Sequence, residues 1–373
     1  MRTRLRFTAL ACVLAGLFAC DREPPRPSVI LISVDTLRSD YLALYNREGV
    51  PTPALEALRA DGVLYRLAYA PIPLTLPAHL TALTGLLPSQ HGVRDNGGFR
   101  FEASGRSYLP QRLHGLGYAT GAFVSSFVLR GNSGMATGFD VYDDDLSTAG
   151  SPPFGTLQRP GAQTIQRALD WVEGVKQGPF FLFLHLYEPH LPYAAPAEFT
   201  ARFPDPYAAE VAYADSLLAG FFARLRQLGL YEPALILFMS DHGEGLGDHQ
   251  YQEHGLLLYR EALQVPLILK APSAKGAGET VDTPVQLADI APTIERWVGL
   301  ETDPSVEGRP LQEAGPDAVR TIVAETFLPR LHYGWSELSS VIEFPYHLIW
   351  GPQPELYDLA NDPAELNDIF EAM

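Results

Sequence analysis

The sequence predicts an α/β fold in which helices cover both faces of a largely parallel sheet. Three short, continuous apolar runs support this prediction, at Ser28–Val34, Phe180–Leu186 and Ala234–Ser240. Runs of this length and composition are typical of strands that are buried on both faces. Apolar residues recur at helical spacing within Ile165–Val172 and Val211–Leu228, which lie before and after the second run. Because strands alternate with helices, we expect the strands to run parallel.

Weaker signals predict further elements. Thr52-Pro53 is expected to cap and begin a helix, because proline is favoured at the first helical position. The apolar face of this helix would carry Leu55 and Leu58, and Gly62 would end it in a left-handed conformation. Another helix and two more strands are expected at Ser107–Leu116, Ala119–Val124 and Val265–Lys270. The Gly- and Pro-rich stretch Asp143–Pro160 is expected to be a surface loop.

The composition limits the kinds of partner. The chain has 373 residues, of which 46% are hydrophobic, so a substantial core can form. Its formal net charge of −17 argues against nucleic acid as a partner, because phosphate backbones require a basic surface. The acidity is explained either by solubility or by clustered carboxylates that bind a metal.

Residues 1–19 have the layout of a secretory signal peptide. Arginines precede an apolar run, Phe7–Ala19, that is too short to span a bilayer. The run ends in Leu17-Phe-Ala-Cys20, which resembles the cleavage box of bacterial lipoproteins. We therefore expect a lipid on Cys20 and a polar tether over residues 20–27. The alternative is a signal anchor that is never cut.

This N-terminus predicts a location. The sequence has two cysteines, and Cys12 would leave with the signal peptide, so neither a disulfide nor a thiolate metal site is expected. Each lipid methylene inserted into a membrane contributes about 0.8 kcal/mol of binding. We expect a globular enzyme tethered on the periplasmic side of a bacterial cell envelope, with the inner membrane as the expected site of the anchor.

Polar residues follow the ends of the predicted strands. Asp35, His190 and Asp241-His242 each follow a strong strand, and Ser125 follows a weaker one. In parallel α/β sheets, ligands bind outside the carboxyl ends of the strands. Carboxylates neutralise a divalent cation, and imidazole shifts the preference toward zinc or manganese. A single aspartate in such a place is more often a helix cap, but several strand ends together indicate a metal site.

A candidate nucleophile lies in the segment Pro73–Leu83. Thr75 comes two residues before Pro77, which predicts that the hydroxyl lies at or just before a helix N-terminus. Free N–H groups there favour an anion, and His79 would lie one turn further along the same face. Taken alone, Thr75 is better explained as an ordinary cap before a buried helix. A nearby metal would activate its hydroxyl as a nucleophile.

Five motifs in this order resemble those of one known family, the sulfatase-like hydrolases of the alkaline phosphatase superfamily. The resemblance covers nearly the whole chain after the signal peptide. The matching segments are Val34-Asp-Thr-Leu-Arg-Ser-Asp40, Thr75-Leu-Pro-Ala-His79 with Thr84-Gly85, Glu188-Pro-His-Leu-Pro-Tyr193, Ser240-Asp-His-Gly-Glu-Gly-Leu-Gly-Asp-His249, and Glu355-Leu-Tyr-Asp-Leu359 with Asn361-Asp-Pro-Ala-Glu365.

The resemblance implies a large, mixed, mostly parallel sheet flanked by helices, with a small C-terminal α+β subdomain. The catalytic domain would span residues 28–310 and the subdomain residues 311–373. It also implies that one divalent ion (Ca, Mg, Mn or Zn) is bound by the side chains of Asp35, Asp241, His242 and Thr75.

The same resemblance assigns further roles. Thr75 would be the nucleophile, and His190 would contact the substrate or protonate the leaving group. His254 occupies a position where the family often has a lysine that holds the substrate anion. Asn96 and Ser125 match positions that contact the non-bridging oxygens of the substrate, although Asp-Asn-Gly is also a turn former, so Asn96 has an equally good structural explanation.

The departures from the family pattern bear on the substrate. Position 75 is neither cysteine nor serine, so formylglycine is not expected, and a threonine ester must be hydrolysed by attack at the central atom. Phosphate esters tolerate this route. His79 replaces the customary arginine, and Ser125-Ser126-Phe127 replaces a usual Lys-x-His pair. We hypothesise that His79, His190 and His254 bind a second cation or supply the missing charge when protonated.

The leading prediction is a metal-dependent hydrolase of phosphate or sulfate esters, with phosphate mono- or diesters favoured, acting on a small-molecule or envelope substrate. One alternative is an envelope transferase of phosphoethanolamine-type headgroups, and another is a non-catalytic lipoprotein with a decayed site. The remaining histidines are expected outside the centre of the site: His114, His332 and His347 on the surface or in the core, and His91 and His249 behind the residues that touch the metal.

Overall fold

The computed structural model describes residues 26–146, 157–315 and 318–372. The expected signal peptide, Cys20 and most of the tether lie outside these residues, as does the middle of the loop expected at Asp143–Pro160. Within the described part of the chain, no helix is both long enough and apolar enough to cross a membrane.

Strands and helices alternate along the chain. The strands in the described residues are β1 (Val29–Val34), β2 (Val63–Tyr69), β3 (Ala119–Phe123), β4 (Val141–Asp143), β5 (Phe180–Leu186), β6 (Leu235–Met239), β7 (Gly245–Leu246), β8 (Gln252–Glu253), β9 (Gln264–Lys270), β10 (Thr280–Val281), β11 (Val285–Gln286), β12 (Ile322–Thr326), β13 (Leu338–Glu343), β14 (Tyr346–Trp350) and β15 (Glu355–Asp358). The α-helices there are α1 (Pro53–Ala60), α2 (Thr75–Thr84), α3 (Pro88–His91), α4 (Leu109–Gly115), α5 (Gly161–Val175), α6 (Ala197–Thr200), α7 (Pro206–Gln227), α8 (Arg260–Leu263), α9 (Ile290–Trp297) and α10 (Leu328–Tyr333).

The larger sheet is mixed and mostly parallel. Over the described residues its order is β10-β2-β9-β6-β1-β5-β3-β4, and β11 also pairs with β2. The central strand β1 runs parallel to both β5 and β6, whereas β9 runs antiparallel to β6 and β2. The fold predicted from the apolar runs is therefore confirmed. The three strongest strands are neighbours, so their carboxyl ends meet at one edge.

Alternation along the strands separates two cores. In β1, Val29 and Leu31 pack with α2, α4 and α9, whereas Ile30 and Ile32 pack with α1, α5 and α7 on the opposite face. Helix α2 is buried along its whole length, from Thr75 to Thr84. The start of α2 is thereby fixed beneath the carboxyl ends of the central strands.

Two local expectations for α1 were wrong. Thr52 makes no side-chain capping bond, and its hydroxyl is buried without a partner. The cap comes instead from α7, where the carboxylate of Asp215 accepts the N–H groups of Ala54 and Leu55 at 3.1 and 3.0 Å. Gly62 is not left-handed; glycine is needed because a Cβ there would lie 2.5 Å from the carbonyl oxygen of Leu269.

The C-terminal part forms a separate antiparallel sheet in the order β12-β13-β14-β15, with α10 between its first two strands, which confirms the small α+β unit. Leu311 and Ala314, which precede it, still pack in the core of the larger sheet. Glu365 connects the two parts, because its side chain pairs with the buried His347 and its carbonyl accepts from His249 at 3.0 Å.

Candidate active site

Three buried side chains converge where β1 and β6 end. Asp35 follows β1, and Asp241 and His242 follow β6; all three are fully buried. One ligand atom from each lies within 4.8 Å of the others. Nε2 of His242 lies 3.3 Å from Oδ2 of Asp241 and 3.8 Å from Oδ1 of Asp35. Among the residues that the structure describes, this is the single group of three or more Asp, Glu, His or Cys side chains with such geometry.

The chemistry of this group fits a divalent metal ion. Both carboxylate oxygens of Asp35 and Oδ2 of Asp241 are buried and have no hydrogen-bond donor. Nδ1 of His242 donates to the carbonyl of Gly243 (2.9 Å), so the lone pair on Nε2 faces the carboxylates. Acceptor atoms that face each other in a buried site require a cation between them. The residues predicted to bind the metal are therefore brought together.

The electrostatics of the two carboxyl groups agree with that interpretation. Burial raises the pKa of Asp241 well above its ordinary value, and the charge of Asp35 raises it further. Burial alone would also raise the pKa of Asp35, but His185, His190 and His242 lower it below its ordinary value. The negative charge of one carboxylate opposes ionisation of the other, and a cation bound between them would remove this repulsion.

Thr75 is the first residue of α2, as predicted, and is 2% exposed. Its hydroxyl oxygen lies 3.3 Å from Nε2 of His242, at the edge of the metal-binding group. The side-chain oxygen of Asn96 accepts the N–H of Leu76 at 2.8 Å and so caps the helix. The hydroxyl is therefore held in one place beside the candidate metal ligands.

The contacts of His79 give no support to the hypothesis that it binds a second cation or carries a charge, and the hypothesis stays a prediction. Its Nδ1 donates to the carbonyl of Thr75 (2.7 Å), and its Nε2 accepts from the hydroxyl of Ser33 (2.8 Å). Burial lowers the pKa of His79 to about 3, which favours the neutral ring over one that replaces an arginine charge. It instead links β1 to the first turn of α2 and thereby positions Thr75.

The second cation expected at His79, His190 and His254 also lacks support, because these residues do not form a metal-binding group among the described residues. Both ring nitrogens of His79 are occupied by Thr75 and Ser33. His190 and His254 lie together elsewhere, with ring centroids 5.2 Å apart.

His254 pairs with a carboxylate beside the candidate metal ligands. Its ring centroid lies 4.3 Å from that of His242, and its Nδ1 lies 3.0 Å from the carboxylate of Glu244. Burial alone would lower the pKa of His254, but the charge of Glu244 raises it above its ordinary value. The pair favours a protonated imidazole at the position where the family resemblance implies a lysine, and the role of His254 in holding the substrate anion stays a prediction.

His190 is half-buried and stacks on Tyr187, with ring centroids 4.4 Å apart. Its Nδ1 donates to the carbonyl of Leu191 (2.6 Å), which leaves Nε2 for a substrate. Ser125 is fully buried and its hydroxyl bonds to that of Thr164 at 2.7 Å, so its predicted contact with substrate stays a prediction. The amide nitrogen of Asn96 is left for a substrate oxygen, and that role also stays a prediction.

Sequence reasoning missed three residues of the site. His185, within β5, is fully buried, and its Nε2 lies 3.3 Å from Oδ2 of Asp35. Alternation could have revealed it, because His185 is paired with Ser33 and points to the same face of the sheet. Glu244 lay in a quoted motif without a role. Thr36 has a φ of 54°, unusual for a β-branched residue, and its N–H lies 3.3 Å from Oδ1 of Asp241.

The other histidines lie outside this centre. His114 is exposed beside Asp140, and His332 pairs with Asp95 at 2.9 Å. His91 is buried against Thr81 of α2, and His249 pairs with Glu261 at the boundary with the C-terminal sheet.

Comparison with known proteins places this geometry in context. A family model described as Sulfatase matches residues 27–300. The chain is 22% identical to the "Uncharacterized sulfatase YidJ" of Escherichia coli (strain K12), over 93% of this chain and 83% of that protein. It is 25% identical to the "Multifunctional alkaline phosphatase superfamily protein PehA" of Trinickia caryophylli, over 88% and 82% of the two chains.

A solved structure shares the architecture. The phosphonate monoester hydrolase of Agrobacterium radiobacter superimposes with a TM-score of 0.79 at 22% identity, covering 92% of this chain and 91% of that chain. Similarity at this identity supports the fold, and the family model, which covers well over half of the chain, supports the family. The protein therefore belongs to the sulfatase family of ester hydrolases, within the alkaline phosphatase superfamily.

Proposed function

We propose that the protein hydrolyses phosphate or sulfate esters with Thr75 as nucleophile, and that phosphate esters are preferred. The observation that carries the proposal is the position of the Thr75 hydroxyl, 3.3 Å from Nε2 of His242 and at the start of a buried helix. A divalent ion held by Asp35, Asp241, His242 and Thr75 would lower the pKa of this hydroxyl and offset the charge of an anionic substrate.

The protein's own residues account for the remaining chemistry. Thr75 gives up its hydroxyl proton to solvent, and Oγ1 then forms a bond to the central phosphorus or sulfur atom as the bond to the leaving oxygen breaks. Nε2 of His190, when protonated, donates its proton to that oxygen. The imidazolium of His254, held by Glu244, attracts the non-bridging oxygens. Water then attacks the central atom of the threonine ester and gives a proton to Nε2 of the now neutral His190. The bond between the central atom and Oγ1 breaks, which releases phosphate or sulfate and frees Thr75 for the next cycle.

The preference for phosphate follows from the nucleophile. Threonine cannot become the formylglycine aldehyde that releases sulfate by elimination, so the second step must be attack at the central atom. Phosphate esters tolerate such attack. The described site also lacks permanently charged lysine or arginine among the residues placed around Thr75, which favours a substrate whose binding relies on the metal.

The test uses nitrophenyl esters of phosphate, phosphodiester, phosphonate and sulfate, each with several divalent metals. We expect the highest kcat/KM with a phosphate ester. Thr75→Ala should lower kcat by on the order of a thousandfold or more, whereas Thr200→Ala, at an exposed threonine, serves as the matched control. Full activity of Thr75→Ala on the best substrate would overturn the proposal, and a sulfate ester as best substrate would overturn the preference.

We also infer that a lipid on Cys20 anchors the enzyme on the periplasmic side of a bacterial inner membrane. The support is the sequence Leu17-Phe-Ala-Cys20 behind a short apolar run. Labelling with a palmitate analogue should mark the expressed full chain and not Cys20→Ser, with Cys12→Ser as control. Equal labelling of both variants, or none of the wild type, would refute the anchor.

A further inference from the structure

A small cavity of about 150 Å³ lies beside His190, outside the group of candidate metal ligands. Its walls combine His190 with two aromatic rings, Tyr187 and Tyr213, and with two carboxyl groups, Glu188 and Glu210. Because the ring of His190 also lies against His254, it separates this cavity from the metal-binding residues. We call this space the carboxylate cavity.

Three residues that line the carboxylate cavity each have a buried acceptor oxygen without a hydrogen-bond partner. Glu210 is 2% exposed; its Oε1 accepts the N–H of Ala194, whereas its Oε2 is buried without a donor. Glu188 repeats this arrangement, because its Oε1 accepts the N–H of Gly161 at 2.9 Å and its Oε2 is buried and unpaired. The amide oxygen of Gln158 is the third unpaired acceptor. An unpaired buried acceptor is costly, and three of them around one cavity indicate a ligand that donates hydrogen bonds.

The number and chemistry of these acceptors match a primary ammonium group. Such a group has three N–H donors and no acceptor, so its donors match the unpaired oxygens in number. The wall of the cavity also includes the aromatic residues Tyr187 and Tyr213. Burial raises the pKa of Glu210 to about 7 and that of Glu188 above its ordinary value, as expected for carboxylates that lack a positive partner.

A metal ion fits the carboxylate cavity less well. Glu188, Glu210 and His190 do not approach one another closely enough to form a metal-binding group in the described part of the chain. Prolines and tyrosines make up most of the remaining wall, so the six or more oxygen ligands that calcium or magnesium requires are missing. A cation with three directional donors is the better match.

We propose that the carboxylate cavity binds a primary ammonium group on the leaving alcohol of the substrate. This rests on the proposed function, in which His190 protonates the leaving oxygen. The cavity adjoins that histidine, so an amino group a few bonds from the ester oxygen would reach Glu188 and Glu210. The substrate class is therefore an ester of an amino alcohol or amino sugar, whose cationic end the protein recognises.

The experiment compares two esters that differ in one group. 2-Aminoethyl phosphate carries an ammonium where propyl phosphate carries a methyl group, and 2-aminoethyl sulfate and propyl sulfate form the matching sulfate pair. Assays at about pH 8 keep the amine charged and ionise Glu210. We expect kcat/KM to be at least about tenfold higher for the amino ester in one pair, because a charge-assisted hydrogen bond is worth this much.

Two isosteric variants test the site. Glu210→Gln and Glu188→Gln keep the oxygen that accepts a backbone N–H and replace the free oxygen with a donor, so the fold should be retained. We expect each variant to lower the ratio of kcat/KM for the amino ester to kcat/KM for the propyl ester by about tenfold. Glu198→Gln removes an exposed carboxylate nearby and should leave the ratio unchanged. A ratio near one in the wild type, or a ratio kept by both cavity variants, would show that the cavity holds ordered water only.

Direct binding separates this inference from the proposed function. Ethanolamine and propanol are titrated into the metal-loaded protein by calorimetry. Binding of ethanolamine alone, weakened in Glu210→Gln, supports the cavity even if no alkyl ester is cleaved. Absence of ethanolamine binding would overturn the proposal that the carboxylate cavity binds an ammonium group. The proposed function would still stand if cleavage of a nitrophenyl ester continued to depend on Thr75.

Discussion

At the scale of single residues, the site depends on the balance between buried negative and positive charge. Asp35 and Asp241 are fully buried, and three of their four oxygens have no donor. Burying unpaired carboxylates is costly, so they are stable in one place only when a cation is held between them. His242 directs its lone pair toward the same point. A metal bound by these predicted ligands would therefore also stabilise the buried carboxylates.

His185 should strengthen the metal site. Its Nε2 lies 3.3 Å from Oδ2 of Asp35, close enough to help orient that carboxylate when a metal is bound. His185→Leu removes the imidazole at similar volume and should weaken metal affinity by about tenfold or more, measured by equilibrium dialysis. His185→Gln keeps a polar N–H group there and should recover part of the affinity.

The control for this prediction is His114→Gln, because His114 is exposed and lies outside the site. Equal metal affinity in His185→Leu and the wild type would show that His185 has only a packing role.

At the scale of elements, helices are held by side chains that are distant in sequence. The carboxylate of Asp215 in α7 accepts two N–H groups at the start of α1, whereas Thr52, the local candidate, has no partner. Asp215→Ala should therefore lower the free energy of unfolding by about 2 kcal/mol in urea. Thr52→Val should change it by no more than about 0.5 kcal/mol. A larger loss of stability in Thr52→Val than in Asp215→Ala would show that Thr52 caps the helix.

The contact between the two sheets should depend on pH through His249. Burial alone would lower the pKa of His249, but Glu261 and the carbonyl of Glu365 raise it to about 9. A raised pKa gives stability that is fully present below the unfolded value of about 6.5 and is lost as the pH rises through about 9. His249→Phe keeps the stacking on Tyr259 but not the charge.

Urea unfolding should therefore show the largest difference between wild type and His249→Phe near pH 6, and the difference should shrink toward about pH 10. His114→Phe should show no such trend. A difference that stays constant with pH would assign the role of His249 to packing alone.

At the scale of the whole molecule, topology assembles the site. The strands β5, β1 and β6 are adjacent and parallel, so residues remote in sequence arrive at one edge of the sheet. Helix α2 then brings Thr75 to that edge from within the core. Binding of a metal to this edge should stabilise the entire domain, because the ligands come from separate segments of the chain.

Chelation should consequently lower the Tm of the wild type, and added metal should restore it. A free metal concentration of one hundred times Kd should raise the free energy of unfolding by about 2.7 kcal/mol. Asp241→Asn removes one of two competing buried carboxylates, so without metal it should be at least as stable as the wild type and should gain little from metal. A Tm that is independent of metal in the wild type would contradict the site.

Much of the fold could be predicted from the sequence, because continuous apolar runs and strand-end aspartates leave clear local signals. The strand β2 was not anticipated, because Arg66 interrupts its apolar pattern and the strands paired with it, β9, β10 and β11, are all distant in sequence. The cap by Asp215 was equally hidden, since 160 residues separate it from Leu55. Contacts of this kind are set by the tertiary fold and leave no local pattern.

The candidate site was predicted less evenly. The metal-binding residues and Thr75 were identified because they follow strands or begin a helix. The charge of His79 could not be predicted, because only its complete burial makes the ring neutral. His185 looked like part of an apolar strand, and a histidine there is more often a core residue than a partner of Asp35.

The central claim is that Thr75 carries the transferred group. Wild-type protein, mixed rapidly with its best ester substrate and quenched in acid, is digested and its peptides are analysed by mass spectrometry. We predict a phosphoryl or sulfuryl group on Thr75, and no such peptide from Thr75→Ala, which should also be inactive. A group found on another residue, or an unmodified Thr75 peptide together with full turnover by Thr75→Ala, would contradict the account.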